Sequence, residues 1–153
     1  MEVITERIFK KKDIERMFSI MESSGQLSLM FKDDEEYFQK DTFTKNVMNG
    51  FISWEVKYNN EISGYVFINN ARYETVEVGI ALIKNKHKMI KHGKKFLQYL
   101  LLTYQTIVAK VDESHCIHNM IHKLGFIEVG LLPKVYKDGE GIRIYYMTQK
   151  EID

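Results

Sequence analysis

One cysteine, Cys116, and one proline, Pro133, stand in 153 residues. A lone thiol cannot close an internal disulfide, so a disulfide framework is excluded and a reducing, cytoplasmic setting is expected. A single proline excludes a proline-rich linker. No apolar run approaches the roughly 20 residues that a membrane-spanning helix needs. The segment from Met1 to Lys12 mixes charged and apolar residues and lacks the apolar centre of a signal peptide. An excess of one charge is missing as well. The 22 basic residues face 21 acidic ones, leaving +1, so the chain has no global pull toward nucleic acid or membrane. Internal repeats and low-complexity tracts are also absent.

What is present is an apolar content of 44%, enough for a real core in a chain of one-domain length, residues 1–153. The charge is also unevenly placed. From Val78 to Val111 there is no acidic residue, while Lys84, Lys86, Lys88, Lys91, Lys94, Lys95 and Lys110 fall there with His87 and His92. An earlier segment, Asp33, Asp34, Glu35 and Glu36, has the opposite sign. A lysine-rich stretch between a strand and a helix start predicts a local anion site. Nucleic acid is a poor candidate for that anion, because no aromatic residues interleave with the lysines.

The periodicity sets out a series of elements. Val3 to Phe9 is strand-like, and Ile14, Met17, Phe18 and Met21 recur at helical spacing after Asp13, up to Gly25. Asp33 and Glu36 have capping-box spacing, predicting a helix from about Asp34 to Met48 that stops at Gly50. Phe51 to Tyr58 and Ile62 to Ile68 read as strands around a turn at Asn59-Asn60-Glu61, with another turn at Asn69-Asn70. Thr75 to Leu82 is a strand apolar on both faces at its end, as a central strand is. Phe96, Leu97, Leu100, Leu101 and Tyr104 predict an amphipathic helix, and Thr106 to Val111 a short strand. A helix from Ser114 to Leu124 ends at Gly125. Strands at Phe126 to Leu132 and Ile142 to Thr148 are joined by a turn around Asp138-Gly139. The order is β-α-α-β-β-β-α-β-α-β-β, an α/β (α+β) arrangement with a mixed central sheet of about seven strands flanked by about four helices.

Other residue groups have plain readings. His115, His118 and His122 fall on one helix face, but without a His-Glu-x-x-His pattern or a spaced cysteine pair they read as a solvated face, and no metal is expected. Cys116 has no nucleophile pattern around it and reads as a buried or partly buried thiol. Phe51, Trp54, Tyr65 and Phe67 lie on strand-like segments and read as core or cleft lining.

Two local signatures give the order a family likeness. One is Lys123-Leu124-Gly125-Phe126, then Asp138-Gly139, then Tyr146-Met147 near the end. The other runs from Glu77 through Lys88-Met89-Ile90-Lys91-His92-Gly93-Lys94 to Leu102. Together they resemble the GCN5-related N-acetyltransferases along nearly the whole chain. In that family a loop patterned Gln/Arg-x-x-Gly-x-Gly/Ala opens a helix whose free N–H groups hold the coenzyme A pyrophosphate. Here Gly93 keeps the last glycine, Lys88 takes the first basic position, and Lys91 replaces the middle glycine. If that position needed a left-handed conformation, Lys91 would cost roughly 1–2 kcal/mol. The tyrosine that often protonates the leaving thiolate corresponds to Ile121, which cannot do so. The asparagine that often starts that helix corresponds to Ser114.

The resemblance implies acetyl-CoA as co-substrate, without a metal, and acetyl transfer to an amine of a small molecule or protein. It implies Glu77 as the base, since an amine with a pKa of about 10.4 must lose a proton before attack. It implies a backbone N–H near Ala81 or Leu82 polarising the thioester carbonyl, with Ile80, Ala81 and Leu82 pairing with the pantetheine arm. The acidic second helix would line the acceptor side. Tyr136, Tyr145 and Tyr146 are the tyrosines near enough in sequence to replace the missing acid. Dimers are frequent in the family, so a homodimer is an expectation. The rival reading is a fold that has lost catalysis and serves in binding or assembly, as in some tailed-phage proteins that this loop and ending resemble.

Overall fold

The computed structural model describes residues 3–72 and 74–149. Its seven strands form one mixed sheet in the order β1-β2-β3-β4-β5-β7-β6. They are β1 Val3–Ile8, β2 Ile52–Tyr58, β3 Glu61–Arg72, β4 Thr75–Leu82, β5 Thr106–Asp112, β6 Ile127–Leu132 and β7 Ile142–Thr148. The α-helices are α1 Lys11–Ser23, α2 Gln26–Met30, α3 Lys40–Gly50, α4 Ile90–Leu100 and α5 His118–Lys123, with 3-10 turns at Glu35–Phe38 and Lys86–Lys88. The seven-stranded mixed sheet is as expected. The helices number five among the described residues rather than four. By compactness the chain divides into one unit of residues 1–69 with 79–86 and another of residues 70–78 with 87–153.

The first unit is built on aromatic rings. β1 pairs antiparallel with β2, and β2 with β3, so that Glu55 lies opposite Tyr65 and Ser53 opposite Phe67. Ile14, Met17, Phe18 and Met21 of α1, spaced to share one stripe, are buried with Leu27, Phe31, Phe43, Val47, Tyr65 and Phe67. Phe31 stacks on Tyr37 at 4.2 Å and meets Phe43 edge-on at 5.8 Å. The long helix predicted from Asp34 is broken. Asp33 has a φ of +67°, Glu35–Phe38 is a 3-10 turn, and α3 starts only at Lys40, with no side-chain cap bond at its N-cap Gln39. The break lets Tyr37 turn in against Phe31 and Phe51. The turn predicted at Asn69-Asn70 is instead part of β3. Among the described residues, the left-handed one after that strand is Glu74, at φ +67°.

The second unit is aliphatic. β4 pairs in parallel with β5 over Thr75–Glu77 and Thr106–Val108, while β5 pairs with β7 along its whole length, from Thr106 to Asp112. Ile107, Ala109, Val111, Tyr145 and Met147 point to one face and are buried; Ile121, Leu124, Leu97 and Leu100 are buried in the same unit. α4 begins earlier than predicted, at Ile90, and ends at Leu100, where Leu102 and Thr103 tighten into i→i−3 bonds. α5 is shorter than predicted. It closes on Gly125 (φ +104°), whose N–H and that of Phe126 satisfy the carbonyls of His122 and Ile121.

Candidate active site

Glu77 is a carboxylate that the second unit places in a cavity. The cavity, about 460 Å³, is lined by Arg72, Thr75, Val76, Glu77, Val108 and Lys110. Strand pairing sets this up. Glu77 lies opposite Val108 on β5, so both side chains share the face that Lys110, two residues on, also uses. Lys110 Nζ is 3.5 Å from Glu77 Oε2, and the Glu77 side chain is 26% exposed.

The same register separates Tyr145 from Tyr146. Val108 faces Tyr146 on β7, so Tyr146 is on the Glu77 face, two strand spacings or about 10 Å across. Tyr145 is on the opposite face, buried, with its hydroxyl 2.7 Å from His118 Nδ1. The other ring nitrogen of His118 donates to the Asp112 carbonyl at 2.7 Å, which assigns the hydrogen to Nε2. Burial pushes the Tyr145 phenol up. Tyr136 is held in the β6–β7 connection by its backbone bond to Glu140. Ile121, at the position matched to the family tyrosine, is 2% exposed and belongs to the core.

The lysine-rich stretch forms the start of α4 rather than an irregular loop. Ile90, Lys91, His92, Gly93 and Lys94 are its first turns, with Met89 buried at the cap and Lys88 closing the preceding 3-10 turn. Lys91 has no left-handed conformation; in this region that belongs to Asn85, at φ +59°. The strain expected at Lys91 is therefore absent, because a helical residue does not need the freedom of glycine. Gly93 is also helical, and its role is spatial: a Cβ there would come within 2.8 Å of Leu124 Cδ2. No side-chain hydrogen bond caps α4, and Lys88 before it and Lys91 and Lys94 in its first turns are all exposed. This fits a phosphate. Burial first and Lys95 second lower the pKa of His92. Lys84 is turned away to Glu61, at 3.3 Å.

In the first unit Ile80 is half-buried, while Ala81 and Leu82 are buried. Beyond them Ser63 anchors the chain, its carbonyl accepting from Ile83 and Lys84 and its hydroxyl from Asn85. Ser114 lies in an exposed turn before α5. Cys116 is exposed, contrary to the expectation of burial, because α5 starts only at His118 and leaves Cys116 in the turn before it. His115 Nδ1 accepts the Ile117 N–H at 3.1 Å, and His122 lies edge-on to Tyr145. The sequence reading missed Arg72, whose signal was hidden by the turn assigned to Asn69-Asn70, and Glu55, buried on β2 between Arg16 at 2.8 Å and Lys57 at 3.2 Å.

No protein-family model and no curated protein matches this sequence. Solved structures do match. A spermidine N-acetyltransferase from Vibrio cholerae, in complex with CoA and spermine, is 17% identical with a TM-score of 0.79, over 98% of this chain and 97% of its own. A GNAT-family acetyltransferase from Bacillus anthracis is 17% identical with a TM-score of 0.75, over 99% and 97%. A ribosomal L7/L12 α-N-protein acetyltransferase in complex with coenzyme A is 10% identical with a TM-score of 0.76, over 95% and 93%. The chain has the fold of the GCN5-related N-acetyltransferases. Within that acetyltransferase fold, β4 carries Glu77 and α4 carries the lysines. No helix among the described residues is long and apolar enough to cross a membrane.

Proposed function

We propose that this chain is an acetyl-CoA-dependent N-acetyltransferase that moves an acetyl group to the amine of a small molecule or protein. The observation that carries the reading is Glu77, a strand carboxylate lining a cavity in a fold shared end to end with acetyltransferases. The uncapped first turn of α4, with Lys88, Lys91 and Lys94, would hold the coenzyme phosphates through N–H groups and charge. Ile80, Ala81 and Leu82 would offer backbone groups to the pantetheine arm, and Ser114 a hydroxyl. Glu77 takes a proton from the acceptor ammonium, directly or through water, and frees the nitrogen for attack on the thioester carbonyl. The C–N bond forms, the C–S bond breaks, the nitrogen gives its second proton to water, and the leaving thiolate takes a proton. Tyr146 is the tyrosine on the Glu77 face and is assigned that donor role.

The experiment is calorimetry of acetyl-CoA on wild type and on Lys91→Glu/Lys94→Glu, with free-thiol release measured over an amine panel. Micromolar binding weakened by the double variant, together with thiol release, supports the reading. Wild type that binds nothing at millimolar acetyl-CoA sinks it. The burial of Ile121 favours the second reading, a fold kept for binding without catalysis, which requires no thiol release with any amine.

A further inference from the structure

The charges around Glu77 say what kind of amine the cavity accepts. Its lining holds one carboxylate and two cations, Arg72 and Lys110, with Thr75, Val76 and Val108. Lys110 already stands at Glu77, so the cavity carries positive charge in excess. A polyamine would bring further ammonium groups against that excess, and like charges in a partly enclosed site repel. An amine with an acid group of its own reverses the sign of that contact. Its ammonium meets Glu77, while its carboxylate meets the Arg72 guanidinium, whose planar fork matches a carboxylate with two parallel hydrogen bonds. Lys110 can add a third.

We infer that the acceptor is a small zwitterion, an amino acid or a compound like one, held by Arg72 and Lys110 at its carboxylate and by Glu77 at its amine. The inference rests on the acetyl-transfer reading above and names the substrate class of that site. The step balances simply. The ammonium gives one proton to Glu77, nitrogen bonds to the acetyl carbon, sulfur leaves with its electron pair and is protonated, the nitrogen's second proton passes to water as the amide forms, and the product is an N-acetylated acid that has lost its positive charge. With the cation gone, the product lacks its tie to Glu77 and leaves more readily than the substrate.

The test compares glycine, β-alanine and γ-aminobutyrate, whose amine and acid are progressively further apart, with glycinamide and a diamine. Thiol release with acetyl-CoA is read on the full chain, wild type and Arg72→Glu. In parallel, binding of the same compounds without coenzyme is followed by protein-observed NMR. One amino acid should exceed glycinamide and the diamine by at least tenfold in kcat/KM. Arg72→Glu should erase that preference and favour the diamine, with Arg72→Gln intermediate. Wild type preferring the amide or the diamine, or an Arg72 variant with an unchanged ratio, overturns the inference while leaving acetyl transfer standing. If no amine releases thiol, the binding arm decides. Amino-acid binding lost in Arg72→Glu keeps the ligand class and sinks the transferase reading, whereas no amino-acid binding sinks the inference. Arg72 is exposed, and an unchanged thermal midpoint in both variants separates lost recognition from lost fold.

Discussion

Glu55 in the first unit and Glu77 in the second are both strand glutamates facing cations, yet their surroundings differ. Glu55 is 3% exposed, bonded by Arg16 at 2.8 Å and Lys57 at 3.2 Å, and sits beside the aromatic core. Glu77 is 26% exposed, has Lys110 at the longer 3.5 Å, and lines open space. Tight pairing of a buried carboxylate uses up its bonding capacity and makes it part of the framework. Looser pairing in a cavity leaves the carboxylate within reach of a ligand. Burial and free space separate these two glutamates, and residue type does not.

The sharpest way to break this comparison is to neutralise each glutamate. Glu77→Gln should lower kcat for acetyl transfer by on the order of 100-fold while the thermal midpoint stays put. Glu55→Gln should keep kcat and lose about 1–2 kcal/mol of stability, read by denaturant unfolding. Equal effects of the two changes on kcat would erase the distinction.

Tyr65, opposite Glu55, sharpens the buried side. Burial first, then the Glu55 charge, push its phenol up to about 12. Arg16 approaches the hydroxyl, which forms no hydrogen bond of proper geometry among the described residues. A folded value above the ordinary one near 10 means that the fold favours the neutral phenol. The stabilisation is complete below about pH 10 and is lost as pH rises toward about 12, worth about 2–3 kcal/mol. Alkaline unfolding should show this limb, and Tyr65→Phe should lack it without losing stability at pH 7.

On the second unit, Lys91→Glu/Lys94→Glu should raise the acetyl-CoA dissociation constant roughly tenfold, about 1.4 kcal/mol, with the gap narrowing as salt is added. The smallest effect belongs to Gly93→Ala. Helix propensity offers a gain of about 1 kcal/mol, but crowding Leu124 in its buried position costs about 1–3, so a net loss on the order of 1 kcal/mol is expected by thermal unfolding. Unchanged coenzyme affinity in that variant would mark Gly93 as a packing residue.

Strand and helix identity followed from periodicity wherever an element was long enough to repeat. β2, β4, β5 and β7, the α1 stripe and the Gly125 stop stood where alternation, 3.6-residue spacing and C-cap chemistry placed them. Five-residue α2 is too short to show a period, and the acidic run before α3 mimicked a cap that the turn at Asp33 breaks. In the site, Glu77 and the lysines of α4 were legible as residues, because charge pattern and position in an element are properties of the chain. The tertiary structure alone decided that Tyr145 and Tyr146 face opposite ways, that Lys91 carries no strain, and that Arg72 and Lys110 flank Glu77. Those facts depend on strand register and on which backbone conformation a segment adopts against its neighbours, which local sequence does not encode.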